Sequence, residues 1–424
     1  MKVLRVVSHQ VFDSRGKPTV AASIQLDDAS WHTARVPSGA STGRHEALEI
    51  RDRDSKYAEK IFGGFSVFQA CENINEILAP KLIGEDIDLT FVDSIVEKID
   101  PSPDLSQLGA NAALALSIAA AKAQAHAEGK TLARFFQPKG ALNLPSPMVN
   151  ILSGGAHAKN TMEIQDILVI ANGSTKFSEA ISWISALREV AAKNGAKLGA
   201  PTHLTADEGG LAIPFSSIEE ACKFMDTCIE DAGFQTGKDI SLAIDFAASQ
   251  FFEDGVYTLK KMRREFTPDQ FVSYVKNLVR NQPIISIEDP FGEDDWNSWI
   301  TFTNDINFPI QIIGDDLYTT NLQRLKYGVE ANASNAILIK PNQNGLVTRT
   351  MQVLDMAKSN DFGTVVSARS GETEDSWLSD FAVGWNAGQI KVGSTHGSDR
   401  TAKWNRLLEL ENTEFCEFTN PFRG

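Results

Sequence analysis

The second half of the chain contains six short apolar runs that each end in a charged residue. Uninterrupted apolar runs are typical of strands that are buried on both faces. In a βα barrel, the C-terminal ends of such strands form the mouth at which the active site lies. Packing alone does not explain a charge at the end of every run. The runs span residues 241–245, 284–288, 311–315, 336–340, 364–369 and 388–391, and they end in Asp245, Glu288, Asp315, Lys340, Arg369 and Lys391.

Amphipathic helical stretches at residues 217–231, 268–281 and 321–328 alternate with these runs. Such alternation predicts parallel strand pairing with right-handed crossovers. A closed barrel is the simplest fold for so many repeated strand–helix units. We therefore predict that the second half of the chain is an α/β barrel.

The first part of the chain has a different pattern. Residues 3–26 alternate like strands around a turn signal at 13–18, and a Gly/Ser-rich stretch follows at 37–43. Helical periodicity then continues to about Phe136 and includes an Ala-rich core helix over residues 110–127. Strands followed by helices indicate an α+β domain.

Proline and glycine are frequent in residues 137–155, which we interpret as a crossover between two domains. Linkers of this composition are common at domain boundaries. We therefore predict an N-terminal α+β domain over residues 1–136 and a catalytic barrel over residues 137–424.

Composition narrows the class of protein. The 424 residues are 42% apolar and 22% charged, which is ordinary for a globular protein, and the formal net charge is −15. Nucleic acids and anionic membranes attract basic surfaces, so neither is expected as a partner. The N-terminus has no apolar signal core, and the four cysteines show no metal-site or redox spacing. We expect a cytoplasmic protein.

The carboxylates Asp245, Glu288 and Asp315 predict a magnesium site. Hard oxygen donors suit Mg²⁺, whereas zinc sites usually contain histidine or cysteine. The alternative is that each carboxylate caps the helix after its strand. Three carboxylates at separate strand ends favour the metal.

The two lysines indicate the reaction class. A lysine beside a divalent cation should have a lowered pKa, so Lys340 could act as a general base and Lys391 as a second base or an anion ligand. Proton abstraction next to a carboxylate would give an enolate that magnesium stabilises. The alternative for each lysine is a structural salt bridge.

Several motifs then carry a resemblance that spans nearly the whole chain. The sequence resembles the enolase (phosphopyruvate hydratase) family in stretches from residues 11–16 to 399–405. The resemblance implies a small α+β domain followed by a modified (β/α)8 TIM-type barrel. The motifs lie at residues 36–43, 45–49, 109–112, 207–210, 286–290, 314–317, 340–343, 369–375 and 387–391.

The resemblance also implies a role for individual residues. Lys340 would remove the C2 proton of 2-phosphoglycerate, and Glu208 would protonate the departing C3 hydroxide. Asp245, Glu288 and Asp315 would hold one magnesium ion, and Ser38 would ligate a second. The substrate would be bound by His157, Gln165, Asp166, Arg369, Ser370 and Lys391. The family also implies a small phosphorylated substrate and a homo-oligomer, either a dimer or a ring of dimers.

Two departures from the family pattern lie on the leaving-group side. An active-site histidine is replaced by Ala368, and a glutamate is replaced by the shorter Asp166. In the family, both positions lie beside the general acid, which is Glu208 in this chain. The residues that would hold the metal and abstract the proton match the family pattern.

Three functions are compatible with this pattern. The first is a hydratase of 2-phosphoglycerate, with water in the space left at Ala368. The second is a divergent relative that forms a metal-stabilised enolate on a related phosphorylated or phosphonate substrate, similar to carboxyphosphonoenolpyruvate synthase. The third is a non-catalytic scaffold, against which the intact metal residues argue.

Overall fold

The computed structural model describes residues 1–39, 43–56 and 62–423. Part of the predicted Gly/Ser-rich stretch, residues 40–42, lies outside these ranges. The chain forms a mixed α/β fold with an antiparallel sheet in the first part and a closed barrel in the second.

A three-stranded antiparallel sheet opens the chain. Its strands are β1 (Val3–Phe12), β2 (Pro18–Leu26) and β3 (Trp31–Arg35), in the spatial order β1-β2-β3. The predicted turn joins β1 to β2, whereas β3 was not predicted. Its short length and single buried residue leave little apolar signal.

Helices cover this sheet. They are α1 (Phe68–Glu72), α2 (Ala79–Leu82), α3 (Leu89–Ile99), α4 (Ala110–Ala127) and α5 (Leu132–Phe136), with a π-helical segment Asn73–Leu78 between the first two. Helix α4 packs on β2 and β3, and fourteen of its eighteen residues are buried, as predicted for a core helix. Its alanines allow close approach to the sheet.

The barrel contains eight strands and confirms the predicted fold class. In chain order they are β5 (Ser146–Ser153), β6 (Asp166–Ile170), β7 (Ser241–Asp245), β11 (Ile284–Glu288), β12 (Gln311–Gly314), β13 (Ala336–Ile339), β14 (Gly363–Ser367) and β15 (Gln389–Gly393). Strand β5 closes the barrel against β15. Six of the strands were predicted as apolar runs. Strand β5 was not predicted, because 137–155 was interpreted as a crossover, and β6 was not predicted either.

The parallel pairing predicted for the six apolar runs is confirmed, and the reversed strand is one that was not predicted. Strand β6 runs antiparallel to both β5 and β7. Because β6 is reversed, its first residue, Asp166, lies at the mouth and pairs with Ser153 and Asp245, the last residues of its neighbours. The remaining neighbouring strands pair in parallel.

Helices and short strands surround the barrel. The helices are α6 (Phe177–Lys197), α7 (Ile218–Asp231), α8 (Pro268–Asn281), α9 (Trp296–Asp305), α10 (Leu322–Glu330), α11 (Pro341–Asn344), α12 (Val347–Ser359), α13 (Trp377–Gly384) and α14 (Ser398–Thr413). Strand β4 (Leu142–Leu144) pairs with β16 (Cys416–Phe418), and β8 (Phe252–Glu253), β9 (Val256–Leu259) and β10 (Arg264–Phe266) form a small sheet.

The barrel interior is filled with apolar side chains, so the barrel is a packed core and not a channel. Its inner cluster contains Met148, Leu168, Ile170, Ala243, Ile313, Ala336, Leu338 and Val365. Within the described residues, no helix combines the length and apolarity that a membrane span requires.

Candidate active site

A polar pocket lies at the mouth of the barrel. Residues at the strand ends line it, together with Glu46 from the first part of the chain. The lining combines cationic and anionic side chains, most of which are buried. The lining residues are Glu46, His157, Gln165, Glu208, Asp245, Ala247, Asp289, Asp315, Asp316, Lys340, Ser367, Ala368, Arg369, Ser370 and Lys391.

Two of the predicted metal ligands converge on a lysine. The Lys391 ammonium lies 2.8 Å from an Asp245 oxygen and 2.7 and 2.8 Å from the two Glu288 oxygens. Burial, and then the nearby Asp245, raise the pKa of Glu288 well above its usual range. Carboxylates this close repel each other unless a cation lies between them.

Lys391 lies inside β15 and not at its end, which corrects the predicted boundary. The strand continues to Gly393. Burial opposes the charge on Lys391, but Asp245 and Glu288 outweigh it and raise the pKa of the amine well above its usual range. Lys391 is therefore an ammonium group, which suits an anion ligand better than a base.

Asp315 belongs to a second group of carboxylates. One oxygen from each of Asp289, Asp315 and Asp316 lies within 4.8 Å of the others. Burial and the neighbouring Asp315 raise the pKa of Asp316 to about 8. This excess of buried, hard oxygen donors fits a divalent cation such as Mg²⁺.

Sequence reasoning missed Asp289 and Asp316. Asp289 accepts hydrogen bonds from the backbone N–H groups of Asp315, at 2.9 Å, and Asp316, at 2.8 Å. It thereby holds the turn after β12 in place. The available signal was the position of each residue directly after a predicted ligand, Glu288 and Asp315.

Lys340 follows β13 and donates a hydrogen bond to Asp315. Burial lowers the pKa of this lysine, but the charge of Asp315 outweighs burial, so the pKa is raised. The lowering of this pKa that is expected beside a divalent cation stays a prediction for the metal-loaded site. Gln343 orients the same carboxylate, because its Nε2 donates to the other Asp315 oxygen at 2.9 Å.

Arg369 lies two residues beyond the end of β14, with Ser370 beside it. Its guanidinium group is paired with the Glu46 carboxylate at 2.9 and 3.2 Å. Burial opposes the charge, but Glu46 raises the pKa of Arg369 further above its usual range. The arginine thus already holds an anionic group in the pocket.

A second arginine, missed by sequence reasoning, supports this segment. Arg400 is 1% exposed and donates to the carbonyl oxygens of Arg369 and Val392, both at 2.7 Å, and of Ser370 at 2.6 Å. Its only sequence signal was its place in the motif at residues 399–405.

The other side of the pocket contains an acidic residue beside a histidine. Glu208 lies in the loop between α6 and α7, and its Oε1 is 3.8 Å from His157 Nε2. Burial raises the pKa of Glu208, but His157, Arg400 and Lys391 outweigh burial and lower it. Glu208 is therefore a carboxylate in the protein alone.

Asp166 lies beneath this pair and is fully buried. His157 Nδ1 is 3.0 Å from its Oδ2, and Asn150 and Ser153 donate to its Oδ1 at 2.5 and 3.0 Å. Protein groups thus occupy both oxygens. Asp166 is not one of the described residues that line the pocket.

The last predicted residues, Gln165 and Ser38, lie in different places. Gln165 lines the pocket and donates to Asp245 at 3.0 Å. The Ser38 hydroxyl donates to Glu49 at 3.2 Å and accepts from Arg51 at 2.7 Å. The Ser38 backbone pairs with Gly371, next to the Arg369 segment but outside the described pocket lining.

The whole chain is similar to known proteins. Residues 3–136 match the family model "Enolase, N-terminal domain", and residues 141–419 match "Enolase, C-terminal TIM barrel domain". A protein of Wolinella succinogenes described as "Enolase" is 43% identical over 415 residues, which cover 97% of this chain and 96% of that protein.

Proposed function

The chain belongs to the enolase family of lyases, and we propose that it catalyses the reversible, Mg²⁺-dependent dehydration of 2-phosphoglycerate to phosphoenolpyruvate. The observation that carries the proposal is one pocket that combines a lysine, converging carboxylates and a buried arginine. Together, these groups could bind an anionic substrate and catalyse the loss of a proton and a hydroxide from it.

The metal would be held by Asp245, Glu288 and Asp315, and by Ser38 for a second ion. The donor set supports this assignment, because the carboxylates are buried and compete for cationic partners. A bound Mg²⁺ would neutralise these carboxylates, lower the pKa of the nearby Lys340 and stabilise negative charge on the substrate carboxylate.

The cationic side chains would bind and orient the substrate. Arg369 would exchange Glu46 for the substrate phosphate, since a guanidinium group binds both anions in the same two-pronged geometry. Ser370 would add a hydroxyl, and Lys391 would hold the carboxylate end. His157 and Gln165 would complete the lining.

Lys340 would take the C2 proton in its neutral form. The electron pair left at C2 would spread onto the substrate carboxylate as an enolate. Collapse of the enolate would form the C2–C3 double bond and expel the C3 hydroxide, which Glu208 would protonate to water. Protonation by a positioned group contributes about 10²–10⁴-fold to such a step.

A second function is favoured by one observation. Ala368 lines the pocket where the family has a histidine, which frees space on the leaving-group side. A divergent enzyme would form the same enolate from a related phosphorylated or phosphonate substrate with a different leaving group.

The assignment as a homo-oligomer, a dimer or a ring of dimers, and the cytoplasmic location remain predictions.

The test is turnover of 2-phosphoglycerate by the purified chain with Mg²⁺, followed by the absorbance of phosphoenolpyruvate. We expect turnover in the wild type, none above background for Lys340→Ala, and full activity for Lys276→Ala, which removes a lysine from the exterior pair with Asp305. Removal of Mg²⁺ with a chelator should abolish activity, and its return should restore it.

Failure of these expectations separates the two functions. If the wild type forms no phosphoenolpyruvate but still exchanges the C2 proton with deuterated solvent, the divergent function replaces the first. If neither reaction occurs, both proposals are wrong.

A further inference from the structure

Three side chains form a continuous line on the leaving-group side of the pocket. Asp166 Oδ2 lies 3.0 Å from His157 Nδ1, and His157 Nε2 lies 3.8 Å from Glu208 Oε1. The buried aspartate touches one ring nitrogen, and the pocket residue Glu208 faces the other. The histidine therefore lies between two carboxylates.

The environment of Asp166 fixes the orientation of the ring. Asn150 and Ser153 hold its Oδ1, which leaves Oδ2 for His157 alone among the hydrogen bonds of the described residues. A ring nitrogen that faces a carboxylate keeps its proton, so Nδ1 of His157 carries hydrogen. Nε2 is then the nitrogen that can give or take a proton.

Glu208 needs a proton that it does not hold. The surrounding cations lower its pKa, so it is a carboxylate in the protein alone. A carboxylate cannot protonate a leaving hydroxide. The family histidine that could help is absent, because residue 368 is alanine.

We propose that Asp166 holds His157 as an imidazolium whose Nε2–H supplies the proton that Glu208 transfers to the leaving group. This inference rests on the proposed dehydration. Asp166 and His157 act through Glu208 and are thus positioning residues, whereas Glu208 is the catalytic acid. Asp166, which is one methylene shorter than the family's glutamate, suits this arrangement because its carboxylate lies beneath the pocket and contacts the His157 ring.

The step balances in protons and electrons. The C3–O bond breaks with its electron pair on oxygen, and the Glu208 proton converts this oxygen to water. The Nε2–H proton moves to Glu208, which leaves a neutral ring with Nδ1–H directed at Asp166. Solvent returns the proton to His157, which is 8% exposed at the pocket surface.

The charges around His157 support the imidazolium form. Asp166, Glu208 and Asp245 are the neighbouring carboxylates with the largest effects on its pKa. Burial lowers the pKa of His157, but these carboxylates outweigh burial and raise it to about 9. His157 Nε2 and Glu208 Oε1 are 3.8 Å apart, which is longer than a hydrogen bond. Catalytic contacts of this kind often shorten only when substrate binds.

The experiment compares two reactions of the Mg²⁺-loaded protein with 2-phosphoglycerate. Formation of phosphoenolpyruvate needs the acid, whereas exchange of the C2 proton with deuterated solvent needs only the base. His157→Gln should reduce dehydration about 10²-fold and reduce exchange far less, so that the ratio of dehydration to exchange falls.

The pH profile distinguishes a proton relay from a structural role. Asp166→Asn removes the charge but keeps the shape, so the alkaline limb of dehydration should move to lower pH by about 1–2 units. Asp305→Asn makes the same substitution in an exterior pair with Lys276 and is the matched control. Its profile should superpose on that of the wild type.

A direct titration of the His157 ring by NMR in the substrate-free protein gives a readout besides activity. His157→Gln identifies the signal, and its midpoint should lie well above that of an ordinary histidine. A midpoint at or below the ordinary value would overturn the relay. So would superposed pH profiles for Asp166→Asn and the wild type, or equal losses of dehydration and exchange in His157→Gln.

These results are distinct from failure of the proposed function. A wild type that shows neither dehydration nor exchange would refute the hydratase and the relay together. A wild type that dehydrates the substrate with an unperturbed histidine would refute the relay alone.

Discussion

At the residue scale, buried charges in this protein are neutralised in pairs. Arg369 and Glu46 are 3% and 7% exposed at their side chains, and they connect the barrel mouth to the first part of the chain. Desolvation makes an unpaired buried charge costly. In the proposed reaction, the Arg369–Glu46 pair is the place where a substrate anion would replace a protein carboxylate.

Glu46→Gln should destabilise the protein and create a phosphate site. The substitution breaks the buried ion pair between Glu46 and Arg369 at 2.9 Å, which typically costs about 3–5 kcal/mol of the free energy of unfolding. Inorganic phosphate should recover part of this loss by binding Arg369. The measurement is the unfolding midpoint with and without phosphate.

The matched control is Glu97→Gln. Glu97 forms a half-exposed pair with Arg349 at 2.7 Å, so its loss should cost less than about 1 kcal/mol. Equal sensitivity to phosphate in the two variants would contradict the role assigned to Glu46.

At the element scale, the loop between α6 and α7 is docked on strand β5. Its backbone is held by Ser394, whose N–H donates to the Glu208 carbonyl at 2.8 Å, and by Arg188, which donates to the Gly209 carbonyl at 3.0 Å. Gly209 has a positive φ of 80°. A Cβ at Gly210 would lie 2.4 Å from Ser153 Oγ and 2.8 Å from Asn150 Oδ1.

Gly210→Ala should therefore disturb the group that holds Asp166. The added methyl must displace Ser153 or Asn150, and such overpacking costs about 1–3 kcal/mol. Urea unfolding should report this loss, and dehydration should fall more than C2 exchange. Gly388→Ala is the control, because its new Cβ would meet only the Thr364 carbonyl at 3.8 Å. Equal effects at both glycines would contradict this account.

At the scale of the whole molecule, the first part of the chain and the barrel share buried polar contacts. Asp93 on α3 accepts hydrogen bonds from the backbone and hydroxyl of Thr348 on α12, at 3.0 and 2.7 Å. Burial raises the pKa of Asp93 from 3.8 to about 6, although Ser117 and Thr348 oppose the increase. The ionised form is thus disfavoured in the folded protein.

This shift predicts how Asp93 affects stability against pH. Because the folded pKa exceeds the unfolded value, its contribution is complete below about pH 4 and is lost as the pH rises through about 6. The loss amounts to at most about 3 kcal/mol. Asp93→Asn should therefore stabilise the protein at neutral pH and have a smaller benefit near pH 4, as measured by urea unfolding.

Asp305→Asn provides the comparison for this prediction. Asp305 is mostly exposed and pairs with Lys276, so its replacement should change the free energy of unfolding little at either pH. A pH-independent effect of Asp93→Asn would contradict the interpretation.

Much of the fold and part of the site followed from local pattern. The strands that end near Asp245, Glu288, Asp315 and Lys340 were predicted because a strand buried on both faces has an uninterrupted apolar run. Strands β5 and β6 were missed. Proline and glycine obscured β5, and the reversal of β6 places its functional residue at its start.

The sequence by itself determined the barrel, the charges at its mouth and the loss of a histidine at Ala368. These features depend on residue type and spacing within single elements, so they can be read from short stretches of sequence. Only the tertiary structure decided that Asp166 contacts His157, that Glu46 neutralises Arg369 and that Asp315 raises the pKa of Lys340. These outcomes depend on distances between groups far apart in the chain, and charge interactions and burial depend on distance in space.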